Sequence, residues 1–169
     1  MRTFDGDRWH GAAVFSADER HRYLHCWTWN ASRPVISAGL MNPSTATERR
    51  LDPTLRRFTK FCDDWGFGGF RLWNAYALRS TDPKVCLESS DRIGALNDDV
   101  IRTELAAAHT LVLAWGTKIE KARAYDLRKL IEQTFIGTPL CIRVSKDGHP
   151  EHPLYLPSSL EPQEWRPPR

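Results

Sequence analysis

Several large functional classes are excluded by what this chain lacks. Of its 169 residues only four are cysteine (Cys26, Cys62, Cys86 and Cys141), and no two stand close enough for a C-x-x-C or a zinc knuckle. Reduced, mostly buried thiols in a cytoplasmic protein are the expectation. No apolar run approaches the roughly 20 residues of a membrane span, and charges at Arg2, Asp5, Asp7 and Arg8 stand where a signal core would be. The phosphate loop, the dinucleotide-binding glycine pattern and the nucleophile elbow are all missing. There is no internal repeat, long linker or low-complexity segment. These absences lead to an expectation of no membrane partner, no metal and no organic cofactor.

What is present is ordinary globular material, 41% hydrophobic and 27% charged, enough for one domain over residues 1–169 with one sizeable core. A net charge of +3 permits nucleic-acid binding without arguing for it. Seven tryptophans are many for this length. Trp9, Trp27 and Trp29 lie near Arg and His residues, where stacking is available, although core packing is the more common role.

The most informative stretch is Val35–Ala46, reading VISAGLMNPSTA. A short apolar run breaks into a polar cluster, the pattern of a buried strand opening into a loop at its carboxyl end. Ligands in open α/β sheets bind at such ends. Pro43 holds Asn42 out of helical geometry.

Upstream, residues 12–29 are predicted to form a β-hairpin, with Tyr23, His25, Trp27 and Trp29 on one face by period two. Downstream, Asp52 and Pro53 open a helix with Leu55, Phe58, Phe61, Cys62 and Trp65 as its buried stripe, ended by Gly66. Phe70–Trp73 is the next strand, ending in Asn74. Asn97 is expected to cap a helix running to about Ala108. Thr110–Ala114 is a third strand ending in Trp115-Gly116, Lys118–Phe135 a long helix, and Thr138–Val144 a fourth strand. The order implies a three-layer α/β/α fold with a mostly parallel four-stranded central sheet. The core would span 35–156, and a proline-rich tail over 157–169 would lie along the surface or loose.

Three constellations carry chemistry. Asn42 can orient a water or read a base edge, but it does not titrate usefully and is a poor general base. Ser44, Thr45 and the neighbouring N–H groups suit a phosphate. Asn74 offers a donor and an acceptor side by side, matching a nucleobase edge; the alternative is a structural Asn bonding the loop backbone. In His149-Pro150-Glu151-His152-Pro153, two X-Pro steps stiffen the loop, and His152 can donate to charge on a leaving group. His149 and His152 alone make no zinc site. The basic run of Arg49, Arg50, Arg56, Arg57 and Lys60 reads as a solvated helix face or a backbone-binding rim.

Taken together these pieces resemble the uracil-DNA glycosylase superfamily. Gly39-Leu40-Met41-Asn42-Pro43 is similar to its Gly-x-(Asp/Asn)-Pro strand end, with one extra residue. Leu72-Trp73-Asn74 resembles the strand end whose Asn reads the flipped pyrimidine. Leu113-Ala114-Trp115-Gly116 and His152-Pro153-Leu154 resemble the later motifs, Leu154 standing where that family has serine. Asn42 replaces the Asp of the strongest uracil glycosylases, and Ser44 stands where known branches have Tyr or Gly. The chain also closely resembles an uncharacterised bacterial and phage family, domain-of-unknown-function family 1643. Its signature is matched by Asn42–Ala46, Asp52–Thr54, Thr81–Pro83, Trp115-Gly116 and His152–Tyr155.

The first resemblance implies a monomeric DNA N-glycosylase acting on a damaged or modified pyrimidine, in a repair or phage base-modification setting, by base flipping. Asn42 would position water and His152 would stabilise the departing base. Gly39, Met41, Pro43, Asn74 and Trp115 would hold the base, and Ser44, Thr45, Lys146 and His149 the flanking DNA phosphates. Asn42→Asp would supply a carboxylate and raise activity on uracil. The alternatives are a nucleotide- or modified-base-binding protein without catalysis, and an enzyme of free nucleosides or nucleotides.

Overall fold

The computed structural model describes residues 1–6, 9–44 and 50–167. Its strands are β1 (Arg2–Gly6), β2 (Trp9–Phe15), β3 (Arg22–Thr28), β4 (Val35–Leu40), β5 (Gly69–Asn74), β6 (Leu111–Leu113), β7 (Leu140–Cys141) and β8 (Gln163–Glu164). Its α-helices are α1 (Pro53–Asp64), α2 (Pro83–Glu88), α3 (Asn97–Ala107) and α4 (Lys121–Thr134), and a 3-10 turn covers Pro153–Tyr155. All the strands join one mixed sheet in the order β1-β2-β3-β5-β4-β6-β7-β8.

The expected four-stranded, mostly parallel sheet is therefore wrong. Only β5, β4, β6 and β7 run parallel. The expected hairpin is a three-stranded antiparallel wing, and β3 continues the sheet by pairing with β5 through His25↔Leu72 to Thr28↔Gly69. Because β3 is an interior strand, it is buried on both faces from Arg22 to His25, which hides the simple alternation expected of it. The described part of the tail is anchored rather than loose: Gln163 and Glu164 pair antiparallel with β7, and the buried Trp165 donates from Nε1 to the Gly148 carbonyl at 2.9 Å. Asn97 does not cap α3; it is the first helical residue and is buried.

Alternation along the parallel strands sends side chains to two cores. Ile36, Ala38, Leu40, Phe70, Leu72, Val112 and Ala114 meet Leu55, Phe58, Phe61 and Cys62 of α1. Trp73, Leu111 and Leu113 meet Ile101 and Leu105 of α3 and Leu127, Leu130 and Ile131 of α4. The helix over 53–64 forms as its sequence predicts. Asp52 accepts from the Leu55 N–H at 2.8 Å, Pro53 opens the first turn, and Gly66 (φ +86°) follows the last. No helix among the described residues is long and apolar enough to cross a membrane.

The chain leaves β4 towards β5 on one side and leaves β6 towards β7 on the other. The loops after β4 and β6 therefore diverge at the carboxyl edge, a topological switch point of the kind at which open α/β sheets form a crevice.

Candidate functional site

A cavity of about 490 Å³ opens at that switch point, on the α1 side of the sheet. Leu40, Leu55, Leu72, Met41 and Trp115 line its apolar part, and Asn42, Ser44, Asp52, Asn74, Lys118 and His152 line its polar part. All five segments that carry the resemblance to family 1643 contribute to the wall.

Asn42 is held in one orientation. Its Nδ2 donates to the Ser80 carbonyl at 2.8 Å and to the Pro43 carbonyl at 3.2 Å. Both partners are obligate acceptors, so the amide cannot be flipped, and Oδ1 is left as an acceptor with no partner among the described residues. The Ser80 N–H returns a bond to the Pro43 carbonyl at 2.9 Å, so the loops after β4 and β5 are cross-braced. Ser44 Oγ is buried with no hydrogen-bond partner among the described residues.

Asn74 ends β5 opposite Leu40 of β4 and is 2% exposed. Its side-chain amide makes no hydrogen bond within the described residues, although it lines the cavity. Its carbonyl accepts from Asn97 Nδ2 at 3.0 Å, and the next carbonyl, of Ala75, accepts from the same amide at 3.3 Å and from Arg123 Nε at 2.8 Å. The buried Arg123 is itself held by Asp98. The backbone of Asn74 is thus clamped from α3 and α4, while its side chain is left open to the cavity.

His152 precedes the 3-10 turn and touches Gly116. Gly116 has φ +79°, a Cβ built on it would lie 3.2 Å from His152 Cβ, and its N–H donates to the Pro150 carbonyl at 2.8 Å. Only glycine accepts both that φ and that approach. Burial holds the His152 imidazole below its ordinary value, Asp52 opposing and Lys118 reinforcing the shift, so the ring is neutral at pH 7. Its Nδ1 accepts from the Leu154 N–H at 3.4 Å, which leaves the proton on Nε2 as a donor.

Met41, Pro43, Ser44 and Trp115 also line the cavity, whereas Gly39, Lys146 and His149 do not. Gly39 lies under the Trp73 ring, which would be 2.4 Å from a Cβ at that position, so its glycine serves packing. Lys146 and His149 sit on the turn between Val144 and Pro150, away from the cavity. Thr45, and Arg49 of the basic run, lie outside the described residues.

Sequence reasoning missed Arg22, Thr54, Ser80, Thr81, Thr117 and Lys118 as lining residues, and saw Asp52 only as a cap. Thr54, Thr81 and Asp52 stand in the signature segments, which was an available signal. Arg22, 3% exposed in the antiparallel wing, carried none. Among the described residues no three His, Cys, Asp or Glu side chains gather as a metal site.

A family profile described as "Protein of unknown function (DUF1643)" matches residues 22–154, and the chain belongs to that family. No curated protein and no solved structure matches it.

Proposed function

We propose that the cavity receives one pyrimidine nucleotide turned out of a DNA strand and hydrolyses its N-glycosidic bond. One observation carries this reading: a fixed acceptor, an unengaged amide and a neutral donor converge on a single cavity of about 490 Å³. The acceptor, Asn42 Oδ1, orients the attacking water. The amide of Asn74 pairs with the base edge, desolvated and in a clamped frame. His152 Nε2–H donates to the charge that develops on the base as the C–N bond lengthens, the contribution that preorganised donors make best. Trp115, Met41 and Leu72 supply the apolar surface a base ring needs. The likeness of three strand-end motifs and one loop motif to the uracil-DNA glycosylase superfamily supports the same reaction class.

A second reading, binding of a nucleotide or modified base without cleavage, is favoured by two observations. An amide rather than a carboxylate stands at the water-orienting position, and Lys146 and His149 lie off the cavity, which leaves few groups for flanking phosphates. The two readings separate on single- and double-stranded oligonucleotides carrying uracil, mismatches or hypermodified pyrimidines, scored for abasic sites. Glycosidic cleavage yields abasic product on at least one substrate. Tight binding throughout with no product establishes the binding protein instead.

A further inference from the structure

We propose that Asp52 is the group that takes the proton from the attacking water; this rests on the glycosidic reading above. In that reaction the water oxygen bonds to the anomeric carbon, and the C–N electron pair leaves with the base. The water must also give up a proton, which the base or solvent recovers afterwards. Asn42 cannot receive it, because an amide does not titrate in the working range. Lys118 and Arg22 are donors. His152 has Nδ1 turned to the Leu154 N–H and a proton already on Nε2. Among the described lining residues, Asp52 is the only carboxylate.

Its geometry suits the task. One carboxylate oxygen accepts from the Leu55 N–H at 2.8 Å, which fixes the group. The other makes no hydrogen bond within the described residues. Asp52 stands at the N-cap of α1 and lines the same cavity as Asn42 and His152. Among the described residues, the other charged and titratable groups that line the cavity are Lys118 from the loop after β6, His152 before the 3-10 turn, Tyr155 within it and Arg22 of β3.

The sequence reads Asp52 as a cap, and capping alone would tolerate other residues, since Asn and Ser cap about as well. Asp52→Asn and Asp52→Ser therefore separate the two roles. On the cleavable oligonucleotide, both variants should melt near the wild-type temperature and bind with wild-type Kd. Single-turnover base release should fall on the order of 10²–10⁴-fold, the usual share of a general base, and the acidic limb of the pH–rate profile should disappear. Wild-type-like rates and pH profiles in both variants would reduce Asp52 to a cap while leaving the glycosidic reading intact. Absence of base release by the wild type from every oligonucleotide it binds would overturn both.

Discussion

The amide nitrogen of Asn42 donates to the Ser80 carbonyl across 2.8 Å, tying the loop after β4 to the loop after β5. This bond has a consequence for Asn42→Asp, which the sequence reading expects to raise activity on uracil. A carboxylate has no hydrogen to give, and it would face the carbonyls of Ser80 and Pro43. We predict destabilisation of about 1–3 kcal/mol in urea titration, the usual cost of leaving a desolvated acceptor such as the Ser80 carbonyl unmet, together with lower activity; the Pro43 carbonyl keeps the Ser80 N–H. A variant as stable as wild type and faster on uracil would contradict the bracing role.

Asn74 behaves oppositely, because its side chain supports no hydrogen bond within the described fold. Asn74→Ala should melt close to wild type yet bind base-bearing oligonucleotides about 10–100-fold more weakly, the worth of one or two lost polar contacts. Parallel melting and titration against an abasic control check this. An equal loss on the abasic strand would deny Asn74 any contact with the base.

Asn97 supports Asn74 from behind. Asn97→Ala removes the donor shared by the Asn74 and Ala75 carbonyls, and we expect a loss of about 1–3 kcal/mol by denaturant unfolding. Because the Asn74 backbone loses its clamp, discrimination among bases should narrow as well. Unchanged stability would show the clamp to be redundant with Arg123.

Acid should weaken the native state through His152. Burial holds its native pKa down, whereas unfolding returns it to about 6.5. Below that pH the unfolded chain binds more protons than the native one, so stability falls as pH drops towards the native pKa. His152→Asn should flatten this slope in melting temperature between pH 7 and 5. An identical slope would assign it to another group.

The parts of this site legible in the sequence were those written locally. The breaks at Met41-Asn42, Asn74 and Trp115-Gly116 each follow a short apolar run, and parallel pairing brings such ends to one edge. The unread parts depend on pairing between distant residues. The two-residue strand Gln163–Glu164 carries no periodicity, and the Trp165 anchor lies in a segment whose prolines suggest a loose tail. Asn97 has the residue type and position of a cap, and only the approach of Asn74 and Ala75 shows that its amide is spent on them. Arg22 lines the cavity because β3 adds to the sheet beside β5, a register that the wing's own alternation does not reveal.

The central claim is that one cavity orients water and stabilises a departing base with separate residues. Single-turnover base release, with binding measured in parallel, tests it most directly in wild type, Asn42→Ala and His152→Ala. The account predicts that both variants keep binding the oligonucleotide. Release should collapse in Asn42→Ala and fall on the order of 10²–10³-fold in His152→Ala, the usual cost of one such donor. The His152→Ala deficit should shrink for bases that are intrinsically better leaving groups. Wild-type rates in both variants, or no release by any of the three from any bound oligonucleotide, would contradict it.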